Sequence, residues 1–347
     1  MFAATARALA ARGYQVTYAC PPDSEVEERV ARSGIEVVPL ETGGAWSAES
    51  RRLRRVLVER FVEAVFVHTE REHLVAAAAT RWAERGAVVR RTPAGAVLGY
   101  GASSRLALRL ASGGFLFTSE GERQRAPRSA RALDPVVADL GVDVSAYDAV
   151  RVADPRSLGV DGGERLLICV CDAGARVRAA TVLRTVAMLA PRHPELRLVL
   201  VGPGSDHEDL RMHAAALGIT SIVRHLGQRE DEVSVLRAAD LGWVIADHDD
   251  AALGALDFMA MRVPVLADRG TVSERYVADG ITGTLLQPAD APATAAIIAT
   301  LLAHDPRRAA MGNAGRTRVA REFPETEMVD GVQRALDAAR DRTRWVV

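Results

Sequence analysis

Residues 249–290 read DDAALGALDFMAMRVPVLADRGTVSERYVADGITGTLLQPAD, and the order of residue types in this stretch decides the fold. Two carboxylates, Asp249 and Asp257, stand eight positions apart across a turn containing Gly254. A short apolar helix is expected at 258–261, then a buried strand at 264–267, then a glycine-punctuated loop. A compact helix feeding a short, wholly apolar strand is the unit from which parallel, doubly wound sheets are built.

The same alternation runs outward in both directions. In the first half, short β-branched runs predict strands at 15–19, 35–39, 64–68, 87–90, 114–118 and 135–137. The second half predicts its own series at 165–171, 196–201, 222–223, 241–246, 263–267 and 284–286. Helical periodicity fills the gaps, as at 205–217, closed by Gly218. The chain of 347 residues is long enough for two domains. The stretch 141–163, rich in Asp, Gly and Pro, reads as the linker between them. The predicted division is a first domain at 1–150, a second at 151–325, and a C-terminal helix at 326–347 that crosses back to the first.

Composition narrows the function classes. Hydrophobic residues make up 48% and charged residues 26%, as in an ordinary globular protein, and the net charge of -1 offers no general attraction to nucleic acid. No lysine occurs, so a cationic side chain that meets a phosphate must be an arginine. Cys20, Cys169 and Cys171 are too few and too oddly spaced for a disulfide framework, which suits a reducing cytoplasm. No apolar run approaches the ~20 residues of a membrane span.

The ordered landmarks resemble the retaining glycosyltransferases of family 4. In that family two glutamates with seven residues between them precede Ala-Met-Ala-x-Gly-x-Pro-Val-Val. Here both acids are aspartates and Arg262 stands at the glycine position. The strand and turn 195–204 are similar to the family's Val-Gly-x-Gly, and His225-Leu226-Gly227-Gln228 to its Phe-Leu-Gly turn. Arg237 to Asp240, Asp279 to Gly283 and Leu285 to Pro288 also match in order. The resemblance implies an α/β fold of two Rossmann-like domains facing across a cleft, the GT-B architecture. It implies transfer of a sugar from a nucleotide-sugar donor to an unknown acceptor, with retention and without a metal.

The resemblance also assigns roles. Asp249 would face the donor sugar and Asp257 the ribose, with Ala252, Leu253 and Gly254 on the donor-binding turn between them. Gly202 and Gly204 would line the donor site, and Gly227 with Gln228 would meet the base. Arg178 holds the position of a phosphate-binding lysine, with Arg176 close by, while Asp172 stands where the family has arginine. His68 ends an apolar strand, as a family histidine does near the donor sugar and acceptor; Thr69 and Glu70 follow it. Developing charge on a departing diphosphate calls for fixed cationic or backbone donors, and carboxylates favour the cationic sugar carbon.

Other features leave alternatives open. Arg90-Arg91-Thr92 closes a strand and could reach an anionic acceptor or simply face solvent. The run from Arg51 to Arg60, RRLRRVLVER, is either a peripheral membrane contact or a solvated arginine face. Asp247-His248-Asp249-Asp250 has residue types that bind divalent ions, in a surrounding pattern that does not suit a metal site. The chain opens on a helix and lacks the strand and glycine-rich turn that normally begin a doubly wound domain, through either a late start or a truncated domain. Asp172, the shortened acids, Arg262 and this opening support the rival reading, a non-catalytic relative that binds or scaffolds. A sugar-nucleotide epimerase of the same fold is a third.

Overall fold

The computed structural model describes residues 2–96, 98, 101–110, 113–172, 174 and 176–343. The chain divides into two compact units, Met1–Asp139 with Thr326–Val347, and Leu140–Glu325.

The first unit contains β1 (Thr17–Cys20), β2 (Glu36–Pro39), β3 (Ala64–Val67), β4 (Ala87–Arg91), β5 (Gly113–Phe117) and β6 (Val136–Val137). β1 and β2 form a parallel pair, and β3-β4-β5-β6 a parallel sheet of four, with no ladder joining the two among the described residues. β4 and β5 are buried along their whole length, so their apolar residues run nearly continuously instead of alternating. The helix Glu70–Ala83 starts on a capping box: Thr69 accepts from the Glu72 N–H, and Glu72 accepts from the Thr69 N–H. The C-terminal helix Glu325–Asp341 ties to this unit through ion pairs from Asp330 to Arg12 and from Arg340 to Glu63.

The second unit is one six-stranded parallel sheet: β7 (Arg165–Val170), β8 (Leu196–Val201), β9 (Val223–His225), β10 (Leu241–Val244), β11 (Val265–Asp268) and β12 (Gly283–Leu286). Their order is β12-β11-β10-β7-β8-β9, so the chain leaves β7 toward β9 and returns on its other side at β10. One core cluster gathers Leu167, Cys169, Leu198, Leu200, Trp243 and Leu266 with the helices that cover them. In such a sheet the loops after β7 and β10 diverge and open a crevice at the carboxyl ends of the strands.

Three local features differ from the sequence reading. The stretch expected as a linker is built into the second unit as two 3-10 turns, Val144–Ala149 and Pro155–Leu158. Its contacts hold it there: Arg237 donates to the Tyr147 carbonyl, Arg316 pairs with Asp148 at 2.7 Å, and the Ala153 N–H donates to the Ser234 carbonyl. The unit boundary therefore falls at 139/140 instead of 150/151. The turn expected between Asp249 and Asp257 is helical, since the helix runs His248–Ala260. Arg262, just past that helix, has φ +62°, a left-handed backbone that glycine adopts at low cost and arginine does not. No helix among the described residues is long and apolar enough to cross a membrane.

Candidate functional site

The loops after β7 and β10 meet at the switch point of the second unit, and carboxylates hold them together. Asp172 Oδ1 accepts from the Gly174 N–H at 2.8 Å, and its Oδ2 accepts from the Asp247 N–H at 2.5 Å. Asp247 occupies the cap position of the helix His248–Ala260, where backbone donors lack intrahelical partners and attract anions. Asp172 is thus an internal anion seated at that helix start. The Asp247 side chain does not cap the helix; it pairs with Arg178 at 2.5 Å, and Arg178 Nε donates to the Ile245 carbonyl at 2.7 Å. Asp268, at the end of β11, is buried; burial pushes its carboxyl up, and the Arg178 charge and Trp243 indole oppose that shift. Arg176 begins the helix Arg176–Leu189, and its side chain lies outside the described groups.

The two aspartates first read as a pair are separated by helical geometry. Asp249 lies in the first turn, half-buried, where the helix dipole favours a carboxylate. Asp257 lies eight residues on, about 12 Å farther along the axis at 1.5 Å per residue. It accepts a hydrogen bond from the Tyr147 hydroxyl. Burial raises the Asp257 carboxyl to about 6, and the Tyr147 bond opposes that rise. Tyr147 itself is pushed up, by burial first and then by the neighbouring Asp257 charge. Ala252, Leu253 and Gly254 fall inside the helix beyond its first turn, so their N–H groups serve helical bonds and not a bound phosphate.

On the other side of β7, Gly202 follows β8 with φ +103°, and a Cβ there would lie 2.3 Å from the Cys171 carbonyl oxygen. Only glycine fits, which brings the turn after β8 against the loop after β7. The Gly202 N–H donates to the Gly227 carbonyl at 3.0 Å, joining this turn to the one after β9. Gly204 completes the first turn; Gly227 is buried in the second and Gln228 is exposed. His225 bonds through Nδ1 to the Ser205 carbonyl at 2.9 Å, and burial lowers its pKa. Gly202 and Gly227 on loops, and Arg178 and Asp249 in the first turns of helices, thus all lie at the carboxyl end of one sheet.

In the first unit His68 follows β3, half-buried, with its ring edge-on to Phe66 at 5.0 Å between centroids. Its N–H donates to Glu72 at 2.9 Å, within the capping box. Thr69 serves as the helix cap, and Glu70 accepts from the Ser103 hydroxyl. Sequence reasoning missed Tyr147 and Asp247 as members of the second-unit site. Tyr147 lies 110 residues from its partner, with no local signal, whereas Asp247 is legible as the residue before a helix.

Comparison with known proteins bears on the fold and on the second unit. Residues 150–318 match the family model for glycosyl transferases group 1. A D-inositol 3-phosphate glycosyltransferase of Corynebacterium kroppenstedtii is 36% identical over 143 residues, 38% of this chain and 31% of that protein. The lipopolysaccharide core biosynthesis glycosyltransferase LpsE of Rhizobium meliloti is 25% identical over 156 residues, 45% of each. The chain thus spans less than half the length of either relative. Among solved structures, a glycosyltransferase from Rickettsia africae superimposes with a TM-score of 0.79 at 14% identity, covering 98% of this chain and 93% of that one. Anabaena Alr3699/HepE, solved with UDP-glucose, superimposes with a TM-score of 0.77 at 18% identity, covering 97% and 94%. The chain is a GT-B-fold protein, and its second unit carries a glycosyl transferases group 1 domain.

Proposed function

We propose that this protein is a retaining glycosyltransferase of family 4 type, whose second unit holds a nucleotide-sugar donor at the β7/β10 switch point. One observation carries the reading. Arg178, in the first turn of the helix Arg176–Leu189, and the N-terminus of His248–Ala260 converge there, within the domain that matches glycosyl transferases group 1. Arg178 would exchange Asp247 for the donor diphosphate and stabilise the charge that grows as the sugar–phosphate bond breaks. Asp249, in the first helical turn, would take donor-sugar hydroxyls, and the turns at Gly202 and Gly227 would approach the nucleotide through backbone groups. His68 would serve the acceptor side. The HepE complex with UDP-glucose supports a nucleotide-sugar donor for this fold. The reaction would need no metal, and a cytoplasmic location fits the three free cysteines.

A second reading, a binding protein without turnover, is favoured by the internal carboxylates at the same place. Asp172 sits on the helix-start donor and Asp247 on the cation, so a diphosphate must displace both. Incubation with UDP-glucose, GDP-mannose and ADP-glucose, followed by chromatography of released nucleoside diphosphate, separates the two. Release that disappears in Arg178→Ala supports the transferase. Binding without release by the wild-type protein supports the second reading.

A further inference from the structure

Among the buried polar atoms of the first unit that lack a hydrogen-bond partner among the described residues are His73 Nδ1, Arg90 Nε and Thr92 Oγ1. Their residues are 2%, 7% and 2% exposed. They share one face of the sheet. Arg90 and Thr92 are two positions apart at the end of β4 and so project to the same side. Arg90 is the register partner of Phe115 on β5, and His73 lies edge-on to Phe115, with ring centroids 5.5 Å apart. His73 comes from the helix Glu70–Ala83, which covers this face.

The acids that favour the charged form of Arg90 spend their hydrogen bonds elsewhere. Glu70 and Glu72 are the carboxylates that act on Arg90, but Glu70 accepts from the Ser103 hydroxyl and Glu72 caps the His68 and Thr69 N–H groups. A buried guanidinium whose Nε lacks an acceptor gains a charge-assisted hydrogen bond when an anion joins it. Burial and the Arg90 charge lower His73 to about 4, so at neutral pH it is an uncharged imidazole able to donate one hydrogen bond. Arg90, His73 and Thr92 therefore present a cation and two neutral donors at the carboxyl end of a parallel strand, where α/β folds place ligands.

We propose that His73, Arg90 and Thr92 form a binding site for a compact oxyanion of the phosphate type. The site stands on the first unit's own residues, whether or not the second unit transfers a sugar. Arg90 supplies a charge-assisted hydrogen bond and a match to two anion oxygens, while His73 and Thr92 complete the donor set.

The test is calorimetric titration of the full chain with inorganic phosphate and, separately, glycerol 3-phosphate, for wild type, Arg90→Met and Thr92→Val. Wild type is expected to bind at least one of the two. Arg90→Met should weaken that binding at least tenfold and Thr92→Val severalfold. Tighter binding of glycerol 3-phosphate identifies an ester-borne phosphate as the ligand; equal or tighter binding of inorganic phosphate identifies the free ion. No binding of either by wild type, or unchanged affinity in both variants, overturns the proposal. Thr92→Val decides the matter if Arg90→Met does not fold. A parallel titration with UDP reports on the second unit, so the failure of one site is not mistaken for the failure of the other.

Discussion

The Tyr147 hydroxyl donates to Asp257 Oδ1 and joins two stretches 110 residues apart within the second unit. Asp257 is one of the two acids that the family resemblance assigns to a donor site, and Tyr147 belongs to a stretch that reads as a linker. The bond makes the supposed spacer a wall of the domain. It also leaves Asp257 committed to a protein partner, so a ribose would have to share the carboxylate or replace the tyrosine.

The raised Asp257 carboxyl has a pH consequence with a definite sign. Its folded value of about 6 exceeds its ordinary value of 3.8, so the folded state holds the proton more tightly than the unfolded one. This group therefore stabilises the fold below pH 4 relative to neutral pH, and that contribution is lost as pH rises from about 4 to about 6. The size is at most about 3 kcal/mol, and less if water relaxes around the half-buried group. Urea unfolding between pH 4 and 7 should show wild type losing this component while Asp257→Asn does not. Parallel profiles for the two proteins would contradict it.

Asp172 should oppose anion binding. Its carboxylate takes the Gly174 and Asp247 N–H groups beside Arg178, where a diphosphate is proposed to sit. Asp172→Asn keeps an acceptor oxygen and removes the charge. UDP, GDP or ADP is expected to bind the variant about fivefold to tenfold more tightly, near 1 kcal/mol, the scale of a like-charge contact relieved close to a protein surface. Calorimetry reads the change directly. Weaker binding would mean that Asp172 shapes the loop for the nucleotide instead of competing with it.

Arg262 should be a stability defect that glycine repairs. The residue holds φ +62° just past the helix His248–Ala260. Relief of left-handed strain is worth roughly 1 kcal/mol after glycine's greater unfolded-state freedom is subtracted. Arg262→Gly is expected to raise the melting temperature by about 2–4 °C for a unit of this size, and Arg262→Ala is not. Calorimetric scans of the three proteins check this, and equal melting temperatures would show that the side chain's other contacts offset the strain.

Strands β7, β8, β10 and β11 were legible in the sequence because each is a short apolar run buried along nearly its whole length. Strand ends slipped by a residue or two, as at 263–267 against Val265–Asp268, because the flanking residues are equally apolar. The helix through Asp249 was not legible. Gly254 and three neighbouring acids suggest a turn, yet Gly254 packs inside the helix facing Val244 and Val170, and acids favour a helix start. The stretch 141–163 misread for a related reason: its Asp, Gly and Pro build 3-10 turns, and the contacts that fasten them come from Ser234, Arg237, Asp257 and Arg316. Local composition carries no trace of such distant partners. The site was legible as a set of loops, not as the pairings Asp172 with the Asp247 N–H and Arg178 with the Asp247 carboxylate.

The most direct test of the central claim is a calorimetric titration of wild type and Arg178→Ala with UDP-glucose, GDP-mannose and ADP-glucose. The switch-point assignment predicts that at least one binds wild type and binds Arg178→Ala at least tenfold more weakly, as expected for the loss of a charge-assisted phosphate contact. Binding that is absent for all three, or unchanged when Arg178 is removed, would contradict it.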